Sequence, residues 1–163
     1  MNQDFLNRVR QLLQTESGNS AATLKAAMTL IKESRPDYYW VGLYLLIDDQ
    51  LMVGPFAGPA TEHKRIAIGQ GVCGSAVAEN RNLIVGDVSE RDNYLACNLH
   101  TKSEIVVLIR DEEDRVLGQI DVDCTTINGV MNDEAWLQEV ASLLAPTVSL
   151  YAKSLHSELL TLR

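Results

Sequence analysis

Residues 38–53 read YYWVGLYLLIDDQLMV, and this stretch decides the predicted fold. The segment Tyr38–Ile47 is rich in aromatic and β-branched side chains, a composition typical of a β-strand. Residues 48–50 predict a turn, and the apolar residues after it begin the partner strand of a hairpin. A second hairpin is predicted from residues 104–110 and 115–123. Because strands joined by tight turns pair in opposite directions, the predicted sheet is antiparallel.

Helices are predicted at both ends of the chain. Apolar residues at helical spacing predict a helix over 4–15 and a second helix that Ser20 caps and Pro36 ends. A final helix is expected after Asn132, and Pro146 is expected to kink or split it. The shorter predicted elements are a loop at 54–59, strands at 66–68 and 83–85, a helix at 72–79 and a polar loop at 87–98.

These elements predict an α+β fold with one domain over residues 1–163, in which the N- and C-terminal helices pack on one face of the central antiparallel sheet. Residues 1–35 are expected to form the N-terminal helices, 36–128 the sheet and its loops, and 132–162 the C-terminal helix. The terminal helices carry more apolar positions than one sheet face needs. This surplus favours a homodimer formed through them.

The composition excludes several classes of protein. With 163 residues, 46% of them hydrophobic and 22% charged, the chain has the make-up of one globular domain rather than of a disordered, collagen-like or coiled-coil protein. No apolar run approaches the length of about 18 residues that a membrane span needs, and no secretory signal is visible, so we expect a cytoplasmic protein. The formal net charge of −8 disfavours nucleic acids and anionic membranes as partners.

The chain has three cysteines, Cys73, Cys97 and Cys124, and this odd, low count argues against a structural disulfide framework. Cys73 follows Gly69-Gln70-Gly71 and falls in the first turn of a predicted helix, where the backbone N–H groups favour a thiolate. The alternative is a small buried side chain at a close approach of two elements. Cys97 lies in a polar loop, either as an accessible thiol or as an apolar anchor of that loop.

Two aspartates share one face of a predicted strand. Asp121 and Asp123 are two residues apart, so their side chains point to the same side, where like charges repel. A cationic side chain, a metal or a ligand is expected to compensate them, unless they lie at the solvated end of an edge strand. Glu104 opens the partner strand and is expected to add a third carboxylate.

Trp40, Gly42 and Tyr44 also share one face of their strand. A glycine between two aromatic residues makes a slot for a slim apolar group, or it relieves a close contact in an ordinary core. His63 and His100 are isolated, and the spacing of histidines and cysteines typical of zinc sites is absent, so we predict no metal site.

Together these motifs resemble those of GAF domain proteins and, more narrowly, of free methionine-(R)-sulfoxide reductases. The resemblance covers nearly the whole chain and depends on several stretches taken in order, because any one of them alone is a weak signal. The stretches are 39–44 (YWVGLY), 54–56 (GPF), 69–74 (GQGVCG), 94–97 (YLAC), 103–106 (SEIV) and 118–123 (GQIDVD).

The resemblance implies an activity and a set of roles. The family reduces the R-epimer of free methionine sulfoxide, and its members are commonly homodimers. Its catalytic cysteine corresponds to Cys97 and its helix-entry cysteine to Cys73. The family's substrate-site carboxylates correspond to Glu104, Asp121 and Asp123. Its aromatic pocket corresponds to Trp40 and Tyr44.

One departure from the family pattern affects the expected mechanism. The family usually has a resolving cysteine ten residues before the helix-entry cysteine, and His63 holds that position here. We therefore expect Cys97 to attack the sulfoxide while a carboxyl such as that of Glu104 donates a proton, and Cys73 to form a disulfide with the oxidised Cys97. No bound cofactor is expected, and an external dithiol such as thioredoxin would complete the cycle.

Two other functions remain open at this point. A GAF-type module that binds a small molecule without catalysis would fit the missing resolving cysteine. A thiol redox sensor would form a Cys73–Cys97 disulfide under peroxide, without any dependence on sulfoxide. A chain with one domain and no output domain counts against a sensor.

Overall fold

A six-stranded antiparallel sheet lies at the centre of the computed structural model, which describes residues 3–15, 18–95 and 99–161. In chain order the elements are α1 (Gln3–Thr15), α2 (Ser20–Glu33), β1 (Tyr38–Ile47), β2 (Gln50–Ala57), β3 (Arg65–Ala67), α3 (Gly71–Glu79), β4 (Leu83–Val85), a 3-10 turn (Val88–Glu90), β5 (Ser103–Arg110), β6 (Val116–Cys124) and α4 (Glu134–Thr161).

The strand order is β3-β2-β1-β6-β5-β4, and neighbouring strands run antiparallel. Both predicted hairpins form, β1 with β2 and β5 with β6. The sheet joins them through β1 and β6, whose sequences lie far apart, and this contact brings the aromatic strand next to the aspartate strand.

The terminal helices and α3 lie on opposite faces of the sheet. α2 and α4 pack on one face over a core that includes Met28, Leu43 and Leu144. On the other face, α3 packs over a second apolar cluster that includes Tyr44 and Val106. The predicted α+β architecture, with N- and C-terminal helices on one face, is confirmed, whereas the exact bounds of its parts stay a prediction. Among the described residues, no helix combines the length and apolar character that crossing a membrane requires.

The predicted loop at 54–59 is wrong over residues 54–57, because β2 continues through Gly54 and Pro55 to Ala57. The pairing with β1 shifts there, so that Gly54 and Pro55 together stand opposite Leu43 in a β-bulge. In the described part of the chain, β3 pairs with Gln50–Met52 and the Val53 N–H donates to the Lys64 carbonyl, so β2 is an edge on that side from Gly54 onward. An edge strand tolerates a proline because no neighbouring strand needs its missing N–H group.

Two expectations about the helices are also corrected, one about the start of α2 and one about the interior of α4. Asn19, not Ser20, caps α2, because its side-chain oxygen accepts a hydrogen bond of 3.0 Å from the Ala22 N–H. Pro146 does not split α4, which is helical from Glu134 to Thr161. Pro146 is exposed, so water can satisfy the carbonyl group that loses its helical partner, while the buried face of α4 stays packed on the sheet.

Candidate active site

The face of the sheet under α3 carries a floor of three rows that cross β1, β6 and β5. Alternate residues of a strand share a face, so the register of the three strands sets these rows. They are Trp40–Asp123–Glu104, Gly42–Asp121–Val106 and Tyr44–Gln119–Leu108.

The three predicted carboxylates meet on this floor. Asp121 and Asp123 have no exposed surface, and Glu104 is 3% exposed. β6 lies in the middle of the sheet, so the alternative of a solvated edge strand is wrong. The Sγ atom of Cys73 and one carboxylate oxygen each from Glu104 and Asp121 lie within 4.8 Å of one another. Such a spacing would also suit a metal ion, so the expectation of no metal stays a prediction.

Burial raises the pKa values of all three acids, and neighbouring negative charge adds to the rise for Glu104 and Asp123. Burial raises the pKa of Glu104 well above its ordinary value, and the charges of Asp121 and Asp123 add to the rise. Burial and the charge of Asp121 likewise raise the pKa of Asp123. Burial raises the pKa of Asp121 to about 7, although hydrogen bonding with Cys73 and Glu104 opposes the rise. The cluster therefore holds at least one proton near neutral pH.

No cation of the described residues forms a direct ion pair with this cluster, although the charge of Arg91 acts on Glu104. The carboxylates of Asp121 and Asp123 accept no hydrogen bond from an N–H group in the described part of the chain, and none of its ion pairs includes the three acids. The groups facing Asp121 are the Cys73 thiol and the Glu104 carboxyl, and the Thr101 hydroxyl faces Asp123. Buried carboxylates without a cation are costly, so this site is suited to a cationic ligand.

Glycines bring Cys73 close to the floor. Gly71, the first residue of α3, has a φ of +63°, which favours glycine, and a Cβ atom there would lie 2.8 Å from the Cβ of Leu95. Cys73 sits in the first turn of α3, is buried, and faces Glu104 and Asp121. The thiol is thus both a packed side chain and a member of the site.

The aromatic residues of the predicted slot lie together, and the Trp40 indole packs directly over Gly42. The glycine thus relieves a close contact, and an open slot stays a prediction. The Trp40 and Tyr44 rings have centroids 6.0 Å apart, and Phe56 stacks on Trp40 at 5.3 Å. A Cβ atom on Gly42 would collide with the Trp40 indole and with Phe56, so only glycine leaves the ring in place. The Trp40 Nε1–H donates to the Pro59 carbonyl, and the Tyr44 hydroxyl donates to that of His63.

Cys97, the predicted catalytic residue, lies outside the described residues. The nearest described position before it in the sequence, Leu95, lines a cavity of about 10 Å³ together with Cys73 and Glu104. A cavity of this size holds about one water molecule, so binding of a larger ligand requires the lining side chains to move apart.

The remaining cysteine has no part in this site. Cys124 lies on the opposite face of β6, as its position in the sequence predicts, with its Sγ atom 3.3 Å from an Asp37 carboxylate oxygen and 3.2 Å from the Thr126 hydroxyl.

Gln119 was missed by sequence reasoning, although the alternation that places Asp121 and Asp123 on the floor also places Gln119 there. It has no exposed surface, and neither its amide nitrogen nor its amide oxygen has a hydrogen-bond partner in the described residues. A polar residue at an inward-facing strand position was the available signal. Phe56 was also missed, because its segment was predicted to be a loop.

Comparisons with known proteins agree with this geometry. The GAF domain family model matches residues 3–148. The chain is 38% identical over 129 residues to the free methionine-R-sulfoxide reductase of Escherichia coli, covering 79% of this chain and 76% of that protein. The structure of the type II free methionine-R-sulfoxide reductase from Thermoplasma acidophilum is 38% identical, with a TM-score of 0.75 and coverage of 79% and 92%. The Neisseria meningitidis enzyme in complex with its substrate is 30% identical, with a TM-score of 0.82 and coverage of 92% and 89%.

Proposed function

The chain belongs to the GAF domain family, and we propose that it is a thiol-dependent enzyme that reduces free methionine-(R)-sulfoxide. The observation that carries the proposal is the buried cluster of Glu104, Asp121 and Asp123 beside the Cys73 thiol and an aromatic slot. The relatives in Escherichia coli and Saccharomyces cerevisiae and the substrate complex from Neisseria meningitidis favour a reductase over a binding module without catalysis.

The acidic cluster explains a preference for the free amino acid. The ammonium group of free methionine sulfoxide can contact Asp121 and Asp123 directly, which no described cation does, whereas the nitrogen of an internal methionine is a neutral amide. A peptide substrate would leave the carboxylates uncompensated and would have to bury its backbone in an enclosed site. Asp121 and Asp123 are therefore the proposed ammonium ligands.

The aromatic slot suits the other end of the substrate. Contacts between sulfur and aromatic rings are modestly favourable. The Trp40 indole covers Gly42, so it has to shift for a methylthio group to enter beside Tyr44. We assign Trp40 and Tyr44 to this contact. Because Trp40 lies in the same row of the floor as Asp123 and Glu104, one small molecule can reach both the ring and the acids.

The proposed chemistry begins with the Cys97 thiolate, which attacks the sulfoxide sulfur. Glu104, with its raised pKa, is the proposed donor of the proton that the sulfoxide oxygen takes up. The oxygen passes to Cys97, which becomes a sulfenic acid, while the sulfoxide is reduced by two electrons to methionine. The Cys73 thiol then attacks the Cys97 sulfur, and a disulfide forms as water leaves. An external dithiol such as thioredoxin reduces the disulfide, so no bound cofactor is needed.

Several finer features belong to the same proposal. A homodimer through the terminal helices is supported by exposed Leu150 and Leu160 on α4, which are 64% and 55% accessible. A cytoplasmic location fits a catalytic pair of thiols that must be kept reduced between turnovers.

A direct assay tests the activity. The protein is supplied with a dithiol and with free methionine-(R)-sulfoxide, the S-epimer, or a blocked peptide sulfoxide. Turnover of the free R-epimer alone is expected, and no turnover of it refutes the proposal. A protein that binds the sulfoxide without reducing it would be a binding module. One that forms a Cys73–Cys97 disulfide with peroxide, but not with sulfoxide, would be a redox sensor, and mass spectrometry detects this bond.

Cysteine variants test the division of roles. Cys97→Ser is expected to abolish turnover, and Cys73→Ser to leave the first turnover intact but slow recycling. Cys124→Ser is the matched control, because this buried thiol lies on the far face of β6. If Cys73→Ser also removes the first turnover, the assigned roles are wrong.

A further inference from the structure

The side chain of one arginine near the acidic cluster has no hydrogen-bond or ion-pair partner among the described residues. Arg91 follows the 3-10 turn and is half-buried, and its Nε atom is shielded from solvent without a hydrogen bond. None of the ion pairs in the described part of the chain includes it. A guanidinium group with unused N–H donors can bind an anion.

The fold places the turn before Arg91 next to the start of β5, the strand that carries Glu104. A hydrogen bond connects this turn to the residue that precedes β5, since the Val88 N–H donates to the Lys102 carbonyl at 2.9 Å. Val85, the register partner of Glu104 on β4, lines a cavity of about 490 Å³ together with Arg91.

The charges around Arg91 leave it available. Its positive charge lowers the pKa of Glu104 against the larger effect of burial, so its field reaches the acidic cluster. Two acids also line the cavity, but Asp87 accepts hydrogen bonds from the Ser89 N–H and hydroxyl, and Glu90 is exposed.

We propose that Arg91 binds the α-carboxylate of the substrate, so that the site recognises both charges of a free amino acid. This inference rests on the proposed function. Free methionine sulfoxide is a zwitterion, and the acids that attract its ammonium group repel its carboxylate. A cation at the border of the cluster removes this conflict, and a planar guanidinium can form two parallel hydrogen bonds with a carboxylate. Arg91 then determines specificity for a free α-carboxylate, which lies at the end of the substrate remote from the sulfur.

The experiment changes the enzyme and the substrate separately. Wild type and Arg91→Gln are assayed with methionine-(R)-sulfoxide and with its α-carboxamide, which keeps the ammonium group but has no carboxylate. Loss of a charge-assisted contact is expected to lower kcat/KM for the free acid about ten- to hundredfold. The loss should appear in KM with kcat nearly unchanged, because this contact is remote from the reacting sulfur. For the carboxamide, the two proteins should have equal kcat/KM.

Controls separate this role from a structural one. Arg91→Lys keeps the charge and should restore part of the affinity for the free acid, and Arg81→Gln removes an exposed arginine elsewhere and should change neither substrate. A loss of the same factor for both substrates, or no loss for either, overturns the inference.

The inference and the proposed function fail in different ways. If wild type reduces the sulfoxide but Arg91→Gln changes kcat/KM for the free acid and for the carboxamide by the same factor, only the inference fails. If wild type neither turns over the sulfoxide nor binds it in calorimetry, the proposed function fails and the role of Arg91 falls with it.

Discussion

Replacing Asp121 by Asn should reveal how strongly the acidic cluster opposes folding. Burial raises the pKa of Asp121 from its ordinary value of 3.8 to about 7. The folded state therefore binds a proton more tightly than the unfolded state, and the free energy of unfolding falls as pH rises from about 4 to about 7. At about 1.4 kcal/mol per pKa unit, the full effect above pH 7 is about 4 kcal/mol.

Asp121→Asn has nearly the same shape but no proton to lose. Its stability should therefore lack this contribution to the pH dependence, and Glu104 should also be relieved of a neighbouring charge. The measured quantity is the difference between the free energies of unfolding at pH 4 and pH 8. We expect this difference to be about 4 kcal/mol larger for wild type than for the variant.

Urea denaturation followed by circular dichroism supplies these free energies. Comparing the two proteins at each pH cancels the titration of shared groups that are remote from Asp121. The charge of Asp121 raises the pKa values of Glu104 and Asp123, so relief of these two acids should add to the difference. Glu112→Gln, at an exposed position of the turn between β5 and β6, controls for the loss of any one acid. The reasoning is refuted if Asp121→Asn keeps the pH dependence of wild type, or if it becomes less stable than wild type as pH rises from 4 to 8.

Three further changes test other parts of the structure. Gly42→Ala should displace the Trp40 ring, lower activity at least tenfold and destabilise the fold by about 1–3 kcal/mol. Activity assays and urea denaturation measure these two effects. Unchanged activity would show that the substrate does not use the slot. Tyr38→Phe removes the hydrogen bond of 2.7 Å to Asp133 and should lower the free energy of unfolding by about 1 kcal/mol without affecting kcat. Tyr38 lies on the face of the sheet that the terminal helices cover, so a change in kcat would contradict a purely structural role. Leu150→Gln combined with Leu160→Gln should convert the proposed dimer to a monomer in light scattering, and an unchanged mass would exclude these side chains from the interface.

Local patterns were sufficient to predict both hairpins and the shared face of Asp121 and Asp123. The alternation of a strand determines which residues face together, and this property needs no knowledge of the rest of the chain. The pairing of β1 with β6 could not be read in the same way, because it joins residues about 80 positions apart and depends on packing of the whole domain. The proximity of Trp40 to Asp123 was therefore accessible from the sequence only through resemblance to a family.

Other features of the structure were not predicted because their residues are typical of loops and surfaces in the sequence. Arg91 stands in a charged loop, where an arginine is usually a solvated surface residue. Gly54 and Pro55 carry a strong local preference for loops, and only the absence of a strand beside that part of β2 makes a strand compatible with them. In each instance the environment supplied by distant parts of the chain overrides the local preference.

The bulge in β2 also bears on how this protein avoids aggregation. An open strand edge is a template onto which another chain can add a strand. Pro55 removes one N–H donor from the open part of β2, and the Lys25 ammonium group occupies the Phe56 carbonyl. The outermost strands, β3 and β4, are each three residues long, so they offer little length for pairing. The sheet is thereby protected along both edges against intermolecular strand addition.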